Sequence, residues 1–197
     1  MLLLGSKLLN YPILSLQVGT EIARTDQPII DPNNLQVIAY ALSGHLLNRQ
    51  TETTLMTEDV RELSPRGMII DSVDNLVDPT DIIKLSKIIE LNFSLIGLTV
   101  ETKKGKKIGK VLDYTIDSTS FSIYQLIVKR PLFQSFNDPE LTINRSQIIE
   151  VTDDRVIIKN DTETVKLEPL KVSDNFKSAY INPFRKTPLP ADPTEAE

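Results

Sequence analysis

The chain contains one stretch of sequence twice, and a duplicated unit constrains the fold more than any other feature. Val18-Gly19-Thr20-Glu21-Ile22-Ala23-Arg24 reads like Lys104-Gly105-Lys106-Lys107-Ile108-Gly109-Lys110 at an offset of 86. Ile30-Asp31 falls on Ile116-Asp117 at the same offset, and Leu42 on Val128. Further on, Val60-Arg61-Glu62-Leu63 falls on Ile148-Ile149-Glu150-Val151, and Met68-Ile69-Ile70 on Val156-Ile157-Ile158, both at 88. One period with a two-residue insertion thus runs through most of the 197 residues. The expected organisation is a domain at 1–77, a connecting helix at 78–92, a second domain at 93–168 and a Pro-containing flexible tail at 169–197. Domains this small bury only roughly 60% of their unfolded surface, so close docking would stabilise both.

Each domain reads as short strands. In the second, these are Leu98–Thr102, Lys107–Ile116, Phe121–Val128, Leu141–Asn144, Ile148–Thr152 and Arg155–Lys159. Gly105 centres the first turn, Asp117-Ser118-Thr119-Ser120 makes the next, and Asp153-Asp154 makes the last. A long loop, Arg130 to Pro139, carries Phe133 and Phe136. The long strand does not alternate cleanly: Ile108, Lys110, Leu112, Tyr114 and Ile116 share one face, and Gly109 marks a bend or bulge. The first domain follows the same plan, with strands Tyr11–Leu16, Glu21–Ile30, Val37–Leu42, Glu52–Met56, Asp59–Leu63 and Gly67–Asp71. Met1-Leu2-Leu3-Leu4 reads as a first strand or its lead-in. Short strands with tight turns predict a mainly β protein of two small, strongly bent barrels. Between them, Asp78-Pro79 starts a helix, and Ile82, Leu85, Ile88 and Ile89 form its apolar stripe over about three turns.

The element Gly105-x-x-Ile108-Gly109-Lys110-Val111-x-Asp113, followed by Ile116-Asp117 and the strand pair Ile148–Val151 and Val156–Ile158, resembles the PRC-barrel. That module is named for the photosynthetic reaction centre, whose H subunit contains it. A similar domain forms the C-terminal half of the bacterial ribosome maturation factor. The resemblance covers residues 5–72 and 93–160. The first copy departs from it, with Ala23 for the second glycine and Thr25 for the valine. It implies tandem barrels that serve as docking or adaptor modules, with no shared catalytic residues.

The absence of cysteine excludes disulfides, zinc–thiolate sites and thiol catalysis. No apolar run approaches the roughly 20 residues of a membrane-spanning helix, and the expected location is cytoplasmic. The net charge of −5 is uneven: residues 1–77 carry five basic and nine acidic groups, whereas residues 91–168 carry eleven of each. The single histidine, His45, sits in a loop with no nucleophile or orienting acid suggested beside it. Asp31 and Asp117 occupy matching strand ends and read as turn caps rather than a carboxylate pair. The chain is therefore expected to be non-enzymatic, with no catalytic residues, metal site or cofactor.

Three features remain as candidate contacts. Lys103, Lys104, Lys106 and Lys107, with Lys110, form a basic turn suited either to phosphates of RNA or to an anionic surface, or to a solvated hairpin that discourages sheet pairing. Phe133 and Phe136 either seal a barrel mouth or present a contact surface. Tyr180, Ile181 and Phe184, in the tail, either fold back onto a barrel or anchor a partner. The leading expectation is an adaptor that binds a protein partner through barrel loops and tail. The alternative is an RNA- or ribosome-associated maturation-type factor that uses the basic turn.

Overall fold

In the computed structural model, residues 1–44, 53–131 and 139–159 are described, and all of them lie within one compact unit. The strands are β1 (Leu2–Leu4), β2 (Pro12–Ser15), β3 (Thr20–Asp31), β4 (Gln36–Ser43), β5 (Thr54–Met56), β6 (Glu62–Ser64), β7 (Gly67–Ile70) and β8 (Leu76–Val77), then β9 (Thr99–Thr102), β10 (Lys107–Asp117), β11 (Ile123–Lys129), β12 (Glu140–Asn144), β13 (Ile148–Val151) and β14 (Arg155–Ile158). One helix, α1 (Ile83–Glu90), stands between the two sets.

The first sheet runs β6-β7-β2-β3-β4-β5-β8 and the second β13-β14-β9-β10-β11-β12. Six strands of each follow the same order, β8 on the first and β1 on the second being the additions, down to one parallel pair in each: β2 beside β7, and β9 beside β14. Backbone geometry repeats as well. Gly19 and Gly105 take positive φ at 73° and 78°, Asn10 and Gly97 at 52° and 88°, and Leu35 and Phe121 at 49° and 54°. Glycine adopts that region freely. Leucine and phenylalanine do so only under constraint, and the constraint here is their position at the contact between the two sheets.

That contact exchanges equivalent groups. The Val37 amide donates to the Phe121 carbonyl at 3.0 Å, and the Ile123 amide donates to the Leu35 carbonyl at 2.8 Å. Gln36 and Ser122, one repeat apart, form an antiparallel bridge between them. Swapping the halves maps this arrangement onto itself, as it would across a two-fold axis. The left-handed turns direct the Leu35 and Phe121 side chains, both buried, into a single apolar cluster drawn from both sheets. Tyr40 of β4 meets Phe121 edge to face, with ring centroids 6.5 Å apart.

The long strands explain the irregular alternation. The β10–β11 register shifts between Val111 and Asp113, and the β3–β4 register shifts between Thr25 and Pro28. A bulge adds one residue and reverses which side chains face inward. Gly109 and Val111 before it, and Tyr114 and Ile116 after it, are therefore all buried, while Leu112 is turned out. A second shift, in the β10–β9 register between Lys107 and Gly109, places an irregularity at the glycine as expected.

Three expectations change. Among the described residues neither sheet closes into a barrel: no ladder joins β12 to β13, because a 3-10 turn at Arg145–Gln147 carries the chain round the corner instead. The helix is shorter than expected. Asp78 caps a separate 3-10 turn, Pro79–Asp81, and Ile82, in extended conformation, divides it from α1. Leu85 and Ile88 pack against Ile38 and Ala39 of β4, whereas Ile83 and Ile89 face outward. Lastly, β1 joins the second sheet, pairing with β10 from Leu2 opposite Asp117 to Leu4 opposite Thr115. The segment leading into the first sheet thus packs on the second, and α1, leading into the second, packs on the first. The tail lies outside the described residues.

Candidate functional site

The basic turn is built by backbone bonds that leave its side chains free to point outward. The Gly105 amide donates to the Thr102 carbonyl at 2.8 Å, the Lys106 amide donates to Thr102 Oγ1 at 3.2 Å, and the Lys103 amide donates to the Ile158 carbonyl at 3.0 Å. Lys103, Lys104, Lys106, Lys107 and Lys110 are all exposed. Lys129 lies opposite Lys110 in the β10–β11 ladder and extends the positive stretch. The nearest carboxylate in register, Glu101, pairs with Lys107 along the backbone, but Arg155 reaches its side chain at 3.4 Å. Among the described residues, none of the five lysines forms an ion pair. The equivalent first-sheet turn, Gln17 to Glu21, has no lysine, and Glu21 is held by Arg24 at 2.7 Å.

Asp31 and Asp117 cap turns, as their positions suggested. Asp31 Oδ1 accepts the Asn33 amide at 3.0 Å, and Asp117 Oδ1 accepts the Thr119 and Ser120 amides, both at 3.0 Å. The Ser120 and Thr119 amides hold the Asp117 carboxyl below its ordinary range. His45, Phe133, Phe136, Tyr180, Ile181 and Phe184 lie outside the described residues. No helix among the described residues is long and apolar enough to cross a membrane.

A second surface is carried by equivalent positions of the two halves. A cleft of about 510 Å³ opens where the segments preceding β2 and β9 face the bulges of β3 and β10. Leu9 and Ile96, each three residues before its strand, β2 or β9, line it and are 46% and 47% exposed, and Leu112 adds a third apolar side chain at 45%. Phe93, Pro28 and the buried Tyr114, Ile30 and Leu95 add to the apolar lining. Gly5 permits the close approach of the leading segment, since a side-chain carbon there would stand 2.5 Å from the Tyr114 ring. Asp26 and Asp113 are the charged lining groups. Asp113 is engaged by Ser6, through its hydroxyl at 2.5 Å and its amide at 3.2 Å, and by the Tyr114 amide at 2.7 Å. Asp26 is exposed and forms no ion pair or side-chain hydrogen bond among the described residues.

Sequence reasoning did not find this cleft. Its signal was present in Leu112, the one large apolar residue out of step with the burial of β10. Only the docking of the halves turns that mismatch into a surface.

A search of curated proteins finds no match to the chain. Residues 91–165 match the family model of the PRC-barrel domain, a span that takes in β9 to β14. The chain thus contains a PRC-barrel domain at residues 91–165, the span that carries β9 to β14.

Proposed function

We propose that residues 1–77 form a second PRC-barrel-like module, and that the paired modules act as a non-enzymatic docking protein for a protein partner. The observation that carries the docking reading is the gathering of Leu9, Ile96 and Leu112, each about half exposed, at one cleft. Converging exposed apolar side chains mark contact surfaces, whereas scattered ones do not. The repeated strand order and the paired positive-φ positions support the second module. Phe133, Phe136, Tyr180, Ile181 and Phe184 are proposed as further contacts. Affinity purification tests this with the full chain, a chain ending at residue 169, a Phe133→Ala/Phe136→Ala variant and a Leu112→Ser variant. The proposal expects a partner that the full chain recovers and at least one variant loses. Equal recovery by all four contradicts it.

A second reading rests on the five exposed lysines, none of which is ion-paired among the described residues. They would hold an anionic polymer such as RNA, on a ribosomal particle or free. Binding would then fall steeply as salt rises, and replacing Lys103, Lys104, Lys106 and Lys107 with serine would abolish it. Absence of co-sedimentation with ribosomal particles at low salt removes this reading.

A further inference from the structure

The cleft has a chemical character that specifies its occupant. Its floor continues the cluster that joins the two sheets, through Tyr114, Ile30 and Leu95, so an apolar group entering it extends an existing core rather than founding a new one. Its volume, about 510 Å³, falls within the roughly 300–1,000 Å³ of clefts that seat compact ligands. The lining carries two carboxylates and neither lysine nor arginine. One of them, Asp113, is already bonded by Ser6 and Tyr114. The other, Asp26, stands on the β3 bulge at the repeat position of Leu112. The two bulges thus supply one charged and one apolar contact from equivalent places in the two walls. An occupant that buries apolar side chains against Leu9, Ile96 and Leu112, and sets a cation beside Asp26, matches both.

We infer that this cleft binds a short segment of a partner protein in which apolar residues flank a lysine or arginine. The inference rests on the docking reading and narrows it to one surface and one chemistry. An acidic segment is disfavoured by like charge at Asp26, and a purely polar one leaves the apolar walls in water.

Fluorescence anisotropy of the full chain with three labelled nonapeptides tests it. In the first, leucine alternates with lysine; in the second, leucine alternates with glutamate; in the third, serine alternates with lysine. The first is expected to bind; the serine–lysine peptide is expected to bind at least about tenfold more weakly, the factor that corresponds to losing one well-buried leucine-sized contact, and the leucine–glutamate peptide at least about threefold more weakly, since it loses the ion pair with Asp26 and sets like charge beside it. Leu112→Ser is expected to weaken the first peptide about tenfold on the same ground. Asp26→Asn is expected to weaken it about threefold, the scale of a surface ion pair. Both positions are exposed, so folding should survive, and an unchanged melting temperature checks this. Ile149→Ser, at an exposed position outside the cleft, should leave binding unchanged. No binding of the leucine–lysine peptide overturns the inference. So does equal binding of the lysine and glutamate peptides, or loss of binding by Ile149→Ser equal to that by Leu112→Ser. The two proposals fail separately. If Leu112→Ser captures the partner as well as the parent while another variant loses it, docking stands and the cleft assignment falls. If peptide binding follows the expected pattern while no variant loses the partner, the cleft chemistry stands and the docking reading falls.

Discussion

At position 109 a glycine is required by its neighbour rather than by its own dihedral angles. A side-chain carbon there would run into the Lys129 carbonyl and the Val128 side chain. The first sheet resolves the same crowding from the other strand: Ala23 keeps its methyl group, and Gly44 gives way, since a carbon on Gly44 would lie 3.2 Å from Ala23 Cα. Gly109→Ala should therefore destabilise the protein by about 1–3 kcal/mol, as overpacking does, measured by urea denaturation. Thr25, which replaces the expected valine, has a buried hydroxyl that donates to the Leu8 carbonyl at 2.5 Å and accepts the Tyr11 amide at 2.8 Å. It ties down the segment entering β2. Tyr40 is a contrasting case. Burial pushes its phenol well above the ordinary range, with Tyr114 adding to the shift, and its hydroxyl has no hydrogen-bond partner among the described residues. Removing an unsatisfied buried hydroxyl loses no bond and relieves a desolvation cost, so Tyr40→Phe should be neutral or stabilising in the same assay. A loss of more than about 1 kcal/mol, the net worth of one hydrogen bond, would show that the hydroxyl is partnered in solution. The motif around Gly109 was legible in the sequence. Its partner Gly44 was not, because the compensation lies across the sheet.

Among the elements, the 3-10 turn at Arg145–Gln147 does more than connect β12 to β13. The Arg145 guanidinium donates to the carbonyls of Leu35 at 3.1 Å, Ile123 at 3.3 Å and Asn34. It therefore clamps the turn of the first sheet onto the second beside the exchanged backbone bonds. At the corresponding 3-10 turn, Thr57 donates to the Val37 carbonyl at 3.0 Å and the Ile38 carbonyl at 3.1 Å, within its own sheet. Arg145→Ala should cost about 1.5–3 kcal/mol, the range for bonds to a charged group. Arg155→Ala, which loses ion pairs with the exposed Asp154 and the partly buried Glu101 from an arginine that is itself exposed, should cost no more than about 1 kcal/mol. Thermal unfolding of both variants checks the difference, and equal losses would deny Arg145 its clamping role. Strand positions and turns were legible because Gly19, Gly105, Asp31 and Asp117 mark local geometry that the chain needs wherever it packs. The full helix from Asp78 was misjudged because Asp78 and Pro79 cap a 3-10 turn equally well, and the spacing of the isoleucines does not reveal the extended residue Ile82. The crossing of β1 onto the second sheet left no local trace.

For the whole molecule, the two sheets meet through equivalent residues, and the larger buried cluster among the described residues draws on both, while a smaller one lies between β4 and α1. Leu35, Val37 and Tyr40 join Tyr114, Phe121 and Ile123 in one buried cluster. The internal match of sequence predicts two parts with a common strand order. It could not reveal how they face each other, since docking depends on surface complementarity that no period encodes. The candidate contacts divide on the same line: the lysine turn, a local feature, was read directly, whereas the cleft exists only once the halves are joined. A shared core predicts a single cooperative transition, because opening either sheet exposes the apolar surface of both. Native-state hydrogen exchange across a urea series tests this most directly. The amides of Ala39 and Tyr40 in β4 and of Leu126 and Val128 in β11 should merge into one opening reaction, with the same free energy and the same dependence on urea. If the first-sheet amides open at a lower free energy and with a smaller urea dependence, while the second sheet stays protected, the halves are independent bodies and the shared core is refuted.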